Sequence, residues 1–419
     1  MDAPLALDLR SEVGRLEAVL LHEPGPEIEN MAPRHAARAL YSDILSRRAA
    51  LRDYAEMRGV LERVAQCFQL RDLLAEVLAD PNVSEGLVET ICRNEGQSTL
   101  RPALAALEPA ELARQLIEGV VLPQDTLTRF LTDERYALQP LHNLFFMRDT
   151  GAALGERFVS ARMANAVRER EALLVATVMR HHPRFRAPVV ELPLGLDRSG
   201  DVSVEGGDLL VAREDLLIVG LGARTSPQAV DCIVSACHDR HERWDLVIQE
   251  LPREPESFIH LDMVFTLLDR DACLVYEPVL LRPNPLQTVH MRIEGGRVTG
   301  IRREANLLDT LRRLGLDLEP VLCGGAGDAW VQEREQWHSG ANAFAVAPGQ
   351  VLMYGRNQRT VEELDRHGFA VIEAAELLAG RAALPEAGRA VVTIGGAELA
   401  RGGGGCRCMT LPLRRAPLG

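Results

Sequence analysis

The chain has 419 residues, 47% of them hydrophobic, so it is long enough for a large core and for two or three domains. Its 60 acidic and 47 basic residues give a formal net charge of -13, which repels nucleic acid and anionic lipid headgroups. No apolar run has the roughly 18 residues of a spanning helix, and the first residues lack the pattern of a secretory signal. We therefore expect a cytoplasmic protein with no nucleic-acid or membrane partner, and with eight reduced cysteines.

A helical region separates the first predicted strand from the others. The run RLEAVLLHEP at positions 15–24 has the short apolar character of a strand. Residues 34–133 are rich in Ala, Leu, Arg and Glu, and their apolar residues recur every three to four positions, which predicts helices. After them, short apolar runs broken by Gly, Pro and Asp predict strands with short helices between them. We therefore predict that residues 34–133 are a largely helical insertion in an α/β domain made of residues 1–33 and 134–419.

A weak internal repeat predicts a symmetric arrangement of the α/β segments. The stretches that begin at Asp208 and Asn342 share a polar residue, two apolar strands joined by a turn, and an Arg-Thr pair that opens a helix. The stretch from His260 begins with the same layout. Ser226, followed by proline, is a good N-cap and predicts a helix over 226–239. Repeated units around an axis would bring the polar residues at the strand ends into one central site.

Three short motifs carry candidate site residues, each with a simpler structural alternative. In Glu205-Gly-Gly-Asp208 the glycines let the backbone turn and aim both carboxylates at one point, although the motif alone is as well explained by an acidic hairpin turn. His260 and Asp262 alternate at the strand period, which suits an imidazole oriented by a carboxylate or a buried structural pair. In HNLFFMRD, at 142–149, polar groups flank an aromatic run, as they also do in a strand with polar ends.

A group of cysteines and histidines also has the spacing of metal ligands. Cys232, Cys237, His238 and His241 lie along the helix predicted after Ser226, where Cys and His four apart, such as Cys237 and His241, share a helix face. Since no second pair completes a tetrahedral site, we interpret them as buried thiols and surface histidines.

Four consecutive glycines precede Cys406 and Cys408 near the end of the chain. No Lys-Ser/Thr follows, so a phosphate-binding loop is excluded, and a mobile loop that brings a thiol to a ligand fits better than a loose linker, because the apolar MTLPL follows. A thiolate needs positive charge nearby, whereas the candidate carboxylates supply negative charge. The combination is consistent if the substrate brings the positive charge, and a guanidinium is the obvious candidate.

The motifs LHNLFFMRD, ARMANAVRERE, EGGDLLV, GLGARTS, HLDMVFT, REQWHSGANAFAVAPGQVLMYGRN and GGGGCRCMTLPL follow one another across nearly the whole chain. In this order and spacing the chain resembles the arginine deiminases of the guanidino-group-modifying, or pentein, superfamily. The resemblance implies a fivefold pseudo-symmetric α/β propeller with an inserted α-helical domain. It also implies hydrolysis of L-arginine to L-citrulline and ammonia through a covalent cysteine intermediate, with no metal or organic cofactor, and it leaves a homo-oligomer open.

The resemblance also implies catalytic roles for single residues. Cys408, directly before Met-Thr, corresponds to the nucleophile, and Cys406 falls in the glycine loop. His260 corresponds to the acid/base histidine, with Asp262 and Glu205 beside it. Opposed carboxylates satisfy a planar guanidinium and fix its plane for attack.

Further residues are assigned to substrate binding by the same resemblance. Asp149 is similar to the carboxylate that grips the guanidinium, with Glu205, Asp208 and Asp262 around the same group. Arg168 and Arg224 match the arginines that hold the α-carboxylate of the substrate, and Asn143 is a polar contact nearby.

The chain departs from the family in the glycine loop, where Gly403 aligns with an arginine that family members often have. Arg401 or Arg407 is the candidate replacement. Two alternatives within the superfamily are an amidinotransferase and a hydrolase of agmatine or methylated arginine. A third alternative is a ligand-binding or regulatory protein without turnover, against which the retained cysteine, histidine and carboxylates argue.

Overall fold

A computed structural model describes residues 4–33, 36–41, 43–192, 202–239, 241–255 and 258–418. The strands are β1 (Leu16–Leu21), β2 (Gln66–Gln69), β3 (Val120–Val121), β4 (Tyr136–Leu138), β5 (Gly151–Leu154), β6 (Arg157–Ser160), β7 (Val189–Val190), β8 (Leu209–Arg213), β9 (Leu216–Leu221), β10 (Arg243–Glu250), β11 (Phe265–Leu267), β12 (Ala272–Val275), β13 (Thr288–Glu294), β14 (Arg297–Glu304), β15 (Glu319–Leu322), β16 (Phe344–Ala347), β17 (Gln350–Tyr354), β18 (Ala370–Glu373), β19 (Ala390–Ile394) and β20 (Leu411–Arg415). The α-helices are α1 (Arg47–Val64), α2 (Leu70–Val77), α3 (Pro81–Asn94), α4 (Arg101–Ala105), α5 (Pro109–Glu118), α6 (Leu127–Leu131), α7 (Glu169–His181), α8 (Pro227–Ala236), α9 (Glu277–Leu280), α10 (Leu307–Arg313), α11 (Ala329–Trp337), α12 (Gln358–Arg366) and α13 (Ala374–Leu378). Within the described ranges, no helix combines the length and the apolar character that crossing a membrane requires.

Five sheets of the described residues share one pairing pattern, in which two strands pair antiparallel and the second pairs in parallel with a third. These sheets are β5-β6-β7, β8-β9-β10, β11-β12-β15, β16-β17-β19 and β20-β1-β2. The hairpin β13-β14 extends the second of them along β10, and β18 adds to β19. In the last sheet, Leu20 pairs with Leu411 on one side and with Phe68 on the other, so the two ends of the chain close one sheet.

Each parallel pair is joined by a connection that contains a helix. Parallel neighbours need such a crossover, and α1, α7, α8, α10 and α12 lie in these connections. Residues 34–133 contain α1 to α6 and two short strands, β3 at Val120–Val121 and, against the helical composition, Gln66–Gln69, which forms β2. Its sequence QCFQ alternates polar and apolar residues, and β1 offers it an edge to pair with.

The helices that follow β2 pack onto the α/β part of the chain. Leu74 of α2, Ile91 of α3 and Leu116 of α5 belong to the same buried apolar cluster as Val175 of α7 and Phe158 of β6. The burial of these side chains stabilises both parts at once, because apolar area removed from water contributes in proportion to its size.

Two of the predicted elements are confirmed, and one is wrong. The first strand is β1, and the helix predicted over 226–239 is α8, which ends at Ala236. His260 and Asp262 do not lie on a strand, because Leu261–Met263 is a 3₁₀ turn and β11 begins only at Phe265.

Ser226 caps α8, and its removal is expected to destabilise the protein. Its Oγ accepts hydrogen bonds from the backbone of Ala229 at 3.3 Å and of Ser203 at 3.1 Å. We expect Ser226→Ala to lower the free energy of unfolding by about 1 kcal/mol, measured by chemical denaturation. Ser235→Ala makes the same change in the last turn of α8, where alanine is favourable, so it serves as the control. An equal loss in both variants would contradict the capping role.

Candidate active site

Polar side chains converge because they lie in the turns that directly precede the first strands of the five sheets. The turns are Met147–Thr150 before β5, Gly206–Asp208 before β8, Leu261–Met263 before β11, 338–341 before β16 and 406–409 before β20. Four of these turns contain a residue that the sequence assigns to the site, and Asn342 directly follows the fifth. The repeated hairpins therefore place site residues at equivalent positions.

Hydrogen bonds join neighbouring turns into a ring. Arg148 N donates to Cys408 O at 2.9 Å, Cys408 N to Asn342 Oδ1 at 3.2 Å, Asn342 Nδ2 to Asp262 O at 2.9 Å, and Leu261 N to Asp208 Oδ1 at 2.8 Å. Gly206 closes the ring against the first turn, since a Cβ at this position would lie 2.2 Å from Arg148 O. Backbone and side-chain bonds thus fix the five turns relative to one another.

A pocket opens on this ring, and most of the predicted site residues line it. Its walls contain Asn143, Asp149, Arg168, Arg224, His260, Gly403 and Cys408, together with Leu40, Asp43, Phe146, Ile259, Met263, Trp337, His338, Ala400, Arg401, Gly402 and Gly404. Glu205, Asp208 and Asp262 lie behind these walls and are completely buried. The predicted residues thus form one site with an inner and an outer layer.

His260 lies between two carboxylates. Its Nε2 is 2.8 Å from Glu205 Oε2, and its Nδ1 is 3.5 Å from Asp149 Oδ1. Burial lowers the pKa of His260, but Asp149 and the hydrogen bond with Glu205 outweigh burial and raise the pKa to about 9. Gly207 permits this arrangement, because a Cβ there would lie 2.8 Å from the imidazole. His260 therefore carries a proton at neutral pH.

Glu205 and Asp208 serve different partners. Glu205 Oε1 accepts from Arg224 Nη1 at 3.4 Å and from Ala164 N at 3.1 Å. Burial raises the pKa of Glu205, but the His260 hydrogen bond and Arg224 bring it below its ordinary value. Asp208 Oδ2 accepts from Thr225 Oγ1 at 2.6 Å, while its Oδ1 binds the backbone of the next turn. Burial raises the pKa of Asp208 to about 7. Asp208 thus supports the turn that carries His260.

Asp262 does not contact His260 as the strand geometry predicts. Its Oδ2 accepts from Arg407 Nη1 at 2.8 Å and lies 3.8 Å from Cys408 Sγ. The physical reason is the 3₁₀ turn, which directs the two side chains to different partners, whereas a strand would align them on one face. The orientation of His260 thus depends on Glu205, and Asp262 lies beside the thiol.

The two cysteines of the glycine segment lie in different surroundings. Both are buried in the same apolar cluster, but only Cys408 of the two lines the pocket. Burial raises the pKa of the Cys408 thiol well above its ordinary value, and Asp262 and Asp149 raise it further. Gly405 faces Asn342, whose Oδ1 would lie 2.6 Å from a Cβ at that position. The close approach of Asn342 thus explains why a glycine stands at position 405. The mobility of the loop stays a prediction.

Arg168 is already bound to carboxylates in the structure. Its Nη1 donates to Asp149 Oδ2 at 2.7 Å, and its Nε and Nη2 donate to Glu171 Oε2 at 3.0 and 2.8 Å. Asn143 donates from Nδ2 to Ala39 O at 2.7 Å, which fixes its side chain at the pocket wall.

Of the two candidates for the missing loop arginine, only Arg401 lies at the pocket. It lines the pocket beside Gly403 and forms an ion pair with Asp43, at 2.7 Å between Nη2 and Oδ2. No atom lies within 4 Å of a Cβ built on Gly403 among the described residues, so the position has space. Arg407 is completely buried and points away from the pocket toward Glu12.

Several residues of the site were not predicted from the sequence. Asn342, which joins Asp262 to Cys408, stands in the repeat at the place of Asp208, so the repeat contained the signal for it. Glu171 and Glu12 carry no comparable signal, because their partners are distant in sequence or occur on an ordinary helix face.

Asp149, Glu205 and His260 could also hold a metal ion by geometry, since their ligand atoms lie within 4.8 Å of one another. Charge argues against this use. Arg168 and Arg224 already contact the same carboxylates, and a protonated imidazole has no lone pair to give. The arrangement suits an acid/base group better than a metal centre.

The proton on His260 can be observed directly. With carbon-13-labelled histidine, the imidazole of His260 is expected to titrate near pH 9 in the NMR spectrum, and Glu205→Gln is expected to move the midpoint lower, because the carboxylate that holds the proton is removed. His182, which contacts Glu76 instead, provides an internal reference. An unchanged midpoint in the variant would contradict the role of Glu205.

Comparisons with known proteins agree with this geometry. The family model described as arginine deiminase matches residues 38–415. The arginine deiminase of Bacillus cereus (strain ATCC 10987 / NRS 248) is 31% identical and covers 98% of this chain and 98% of its own length. Among solved structures, the N-terminal domain of ArgZ, an arginine dihydrolase from cyanobacteria, has a TM-score of 0.53 at 16% identity, covering 95% of this chain and 97% of that one.

The structural likeness extends to an enzyme that transfers the amidino group. SxtG, an amidinotransferase from Microseira wollei, has a TM-score of 0.53 at 11% identity and covers 98% of each chain. At such identities the likeness establishes the α/β fold and nothing more, whereas the family model and the relative at 31% identity decide the family. The chain belongs to the arginine deiminase family.

Proposed function

We propose that this protein hydrolyses L-arginine to L-citrulline and ammonia, with Cys408 as the nucleophile and His260 as the acid and base. The observation that carries the proposal is a pair of buried carboxylates that act on the thiol, each with one oxygen that makes no hydrogen bond to the described residues. These oxygens are Asp149 Oδ1, which lies 3.5 Å from His260 Nδ1, and Asp262 Oδ1. Buried acceptors of this kind cost free energy unless a ligand satisfies them.

A guanidinium fits these acceptors. It is planar and presents N–H donors on its edges, so two opposed carboxylates can hold it by charge-assisted hydrogen bonds. Glu205 and Asp208 already have partners on both oxygens, which supports Asp149 and Asp262 as the residues that bind the guanidinium. Its positive charge, placed beside the Cys408 thiol, would offset the carboxylates that keep the thiol protonated.

The reaction then proceeds in two halves. The Cys408 thiolate adds to the guanidinium carbon, the imidazolium of His260 gives its proton to one nitrogen, and the C–N bond to that nitrogen breaks to release ammonia. The remaining thiouronium is attacked by water, which gives one proton to His260 and the other to the departing sulfur as the C–S bond breaks, so that citrulline and the thiol form. The thiol gives this proton to solvent when the next guanidinium binds. The raised pKa of His260 supports its role as the acid of the first half.

Amidino transfer is the second candidate, because the fold is shared with SxtG. The two reactions differ in which C–N bond of the guanidinium breaks in the first half and in what then attacks the thiouronium. Water yields citrulline, whereas the first half of a transfer from arginine would release ornithine and leave the amidino group on sulfur. Incubation with L-arginine and measurement of citrulline, ammonia and ornithine tests the proposal. Equimolar citrulline and ammonia are expected, and ornithine in their place would overturn hydrolysis.

We further propose that the five sheets form a fivefold pseudo-symmetric propeller and that residues 34–133 include its helical insertion. The shared pairing pattern and the ring of turns support the symmetry. Because β2 pairs with β1 in the sheet that also contains β20, and α1 connects β1 to β2, the inserted part is better placed after Gln69. The cytoplasmic location and the homo-oligomer stay predictions.

Replacing Cys406 and Cys408 one at a time shows which of the two is the nucleophile. Cys408→Ser is expected to abolish citrulline formation, because a serine hydroxyl does not supply the thiolate. Cys406→Ser is expected to retain most of it, since Cys406 lies in an apolar cluster and not at the pocket. The measurement is turnover of L-arginine by both variants at equal folded fraction, and loss of activity in Cys406→Ser with retention in Cys408→Ser would reverse the assignment.

Recognition of the α-carboxylate is assigned to Arg224, which lines the pocket, and Arg168 lies beside it with its donors on Asp149 and Glu171. Agmatine lacks the carboxylate, so the protein is expected to prefer L-arginine in kcat/KM. Arg224→Ala should lower kcat/KM for L-arginine by about 30-fold or more, as the loss of one partner of a buried ion pair does.

Agmatine provides the matched control for this variant. Arg224 also contacts Glu205, and the loss of that contact affects both substrates equally. The fall in kcat/KM for L-arginine beyond the fall for agmatine therefore measures how much Arg224 contributes to binding the α-carboxylate. Equal losses for the two substrates, or equal efficiency in the parent protein, would move the assignment toward an agmatine hydrolase.

A further inference from the structure

A buried ion pair between Glu12 and Arg407 lies behind the pocket. Arg407 Nε donates to Glu12 Oε2 at 3.1 Å, and its Nη2 is 3.1 Å from Glu12 Oε1, so the guanidinium and the carboxylate meet edge to edge. Both side chains are almost completely buried. Glu12 also accepts from the backbone of Val211 at 3.3 Å, which ties it to β8.

The other edge of the Arg407 guanidinium faces Asp262. Nη1 donates to Asp262 Oδ2 at 2.8 Å, and the same oxygen lies 3.8 Å from Cys408 Sγ. With Oδ2 held in this way, Asp262 Oδ1 remains without a hydrogen-bond partner among the described residues. The ion pair thus determines which oxygen of Asp262 is occupied and which has no hydrogen-bond partner in the described part of the chain.

The backbone of Arg407 is fixed on the same side. Arg407 N and Cys408 N both donate to Asn342 Oδ1, at 2.9 and 3.2 Å, and Asn342 Nδ2 donates to Asp262 O. The side chain and the backbone of Arg407 therefore join the cysteine and Asp262 in one rigid unit. Glu12 is the one carboxylate of this unit that lies outside the residues 38–415 matched by the family model.

We propose that Glu12 and Arg407 are a positioning pair that holds Asp262 in its substrate-binding orientation and sets the electrostatic field at the Cys408 thiol. This inference rests on the proposed function for its meaning, because Asp262 is assigned there to the guanidinium. Glu12 and Arg407 act through Asp262 and Cys408 and do not contact the substrate.

The charges around the thiol give the two members of the pair opposite effects. Asp262 and Asp149 oppose ionisation of Cys408, whereas Arg407 favours it. Glu12 neutralises Arg407, so its removal leaves the positive charge of Arg407 to act on the thiol with less opposition. Removal of Arg407 takes that positive charge away. A contact that merely holds the loop in place would not distinguish the two changes.

Alkylation of Cys408 in the absence of arginine tests the proposal independently of the proposed function. Iodoacetamide reacts with the thiolate, and mass spectrometry of the peptide that contains Cys408 gives its rate at fixed pH. Glu12→Gln is expected to react roughly threefold faster than the parent or more, and Arg407→Gln no faster than the parent. Glu17→Gln is the matched control, because it removes the carboxylate partner of Arg414 on the neighbouring strand pair without touching the pocket.

Each outcome decides the matter. Acceleration in Glu12→Gln alone supports the pair as an electrostatic device. Acceleration in both variants would show that the loop has loosened and would overturn the proposal, as would a rate in Glu12→Gln no higher than in Glu17→Gln. If Arg407→Gln does not fold, Arg407→Lys takes its place. The lysine keeps the charge, so a rate within about twofold of the parent supports the proposal, and acceleration equal to that of Glu12→Gln overturns it.

Turnover measures the positioning of Asp262. We expect Arg407→Gln to raise KM for L-arginine about tenfold or more and to lower kcat, with partial recovery in Arg407→Lys, because an ammonium restores the charge without the two-sided fork. An unchanged KM in Arg407→Gln would show that Arg407 does not position Asp262 for substrate binding. If the parent protein does not turn over arginine, the proposed function fails, while the alkylation rates still test the pair.

Discussion

Burial of several carboxylates at the centre of the fold is the constraint on which the rest of the site depends. An isolated carboxylate in a dry interior is strongly unfavourable, so each one needs a cation or hydrogen-bond donors. The structure supplies them from neighbouring turns: His260 and Arg224 for Glu205, Arg168 for Asp149, Thr225 and a backbone amide for Asp208, and Arg407 for Asp262. The ring of five turns brings all these partners together at once, and it also contains the thiol.

Two oxygens of these carboxylates have no hydrogen-bond partner among the described residues, and this can assist binding of a cationic substrate. One belongs to Asp149 and one to Asp262, and burial together with these two carboxylates raises the pKa of the Cys408 thiol. A guanidinium that enters the pocket would complete the pairing and ionise the nucleophile in one event. The thiol would then react more slowly with neutral compounds than with a guanidinium, since neutral compounds leave the buried oxygens unsatisfied and do not favour the thiolate.

Particular elements show how far local patterns lead. The strand at RLEAVLLHEP and the helix after Ser226 follow from hydrophobic pattern and capping chemistry, and both form. At His260 and Asp262 the period of two predicts one shared face, yet a 3₁₀ turn places their side chains against different partners. The segment QCFQ, within a region of helical composition, pairs with β1 because that strand has a free edge. Local preference was overridden where a tertiary partner offered hydrogen bonds.

The sequence by itself determined the chemical groups of the site, the separation of the first strand from its sheet by helices, and the family, because motifs and hydrophobic periods are local properties of the chain. Only the tertiary structure decided which carboxylate meets which cation. Glu12 and Arg407 are 395 positions apart, and no local pattern encodes such a pairing. It also decided that Cys408 and not Cys406 faces the pocket, since the direction of a side chain in a turn depends on the surfaces packed around it.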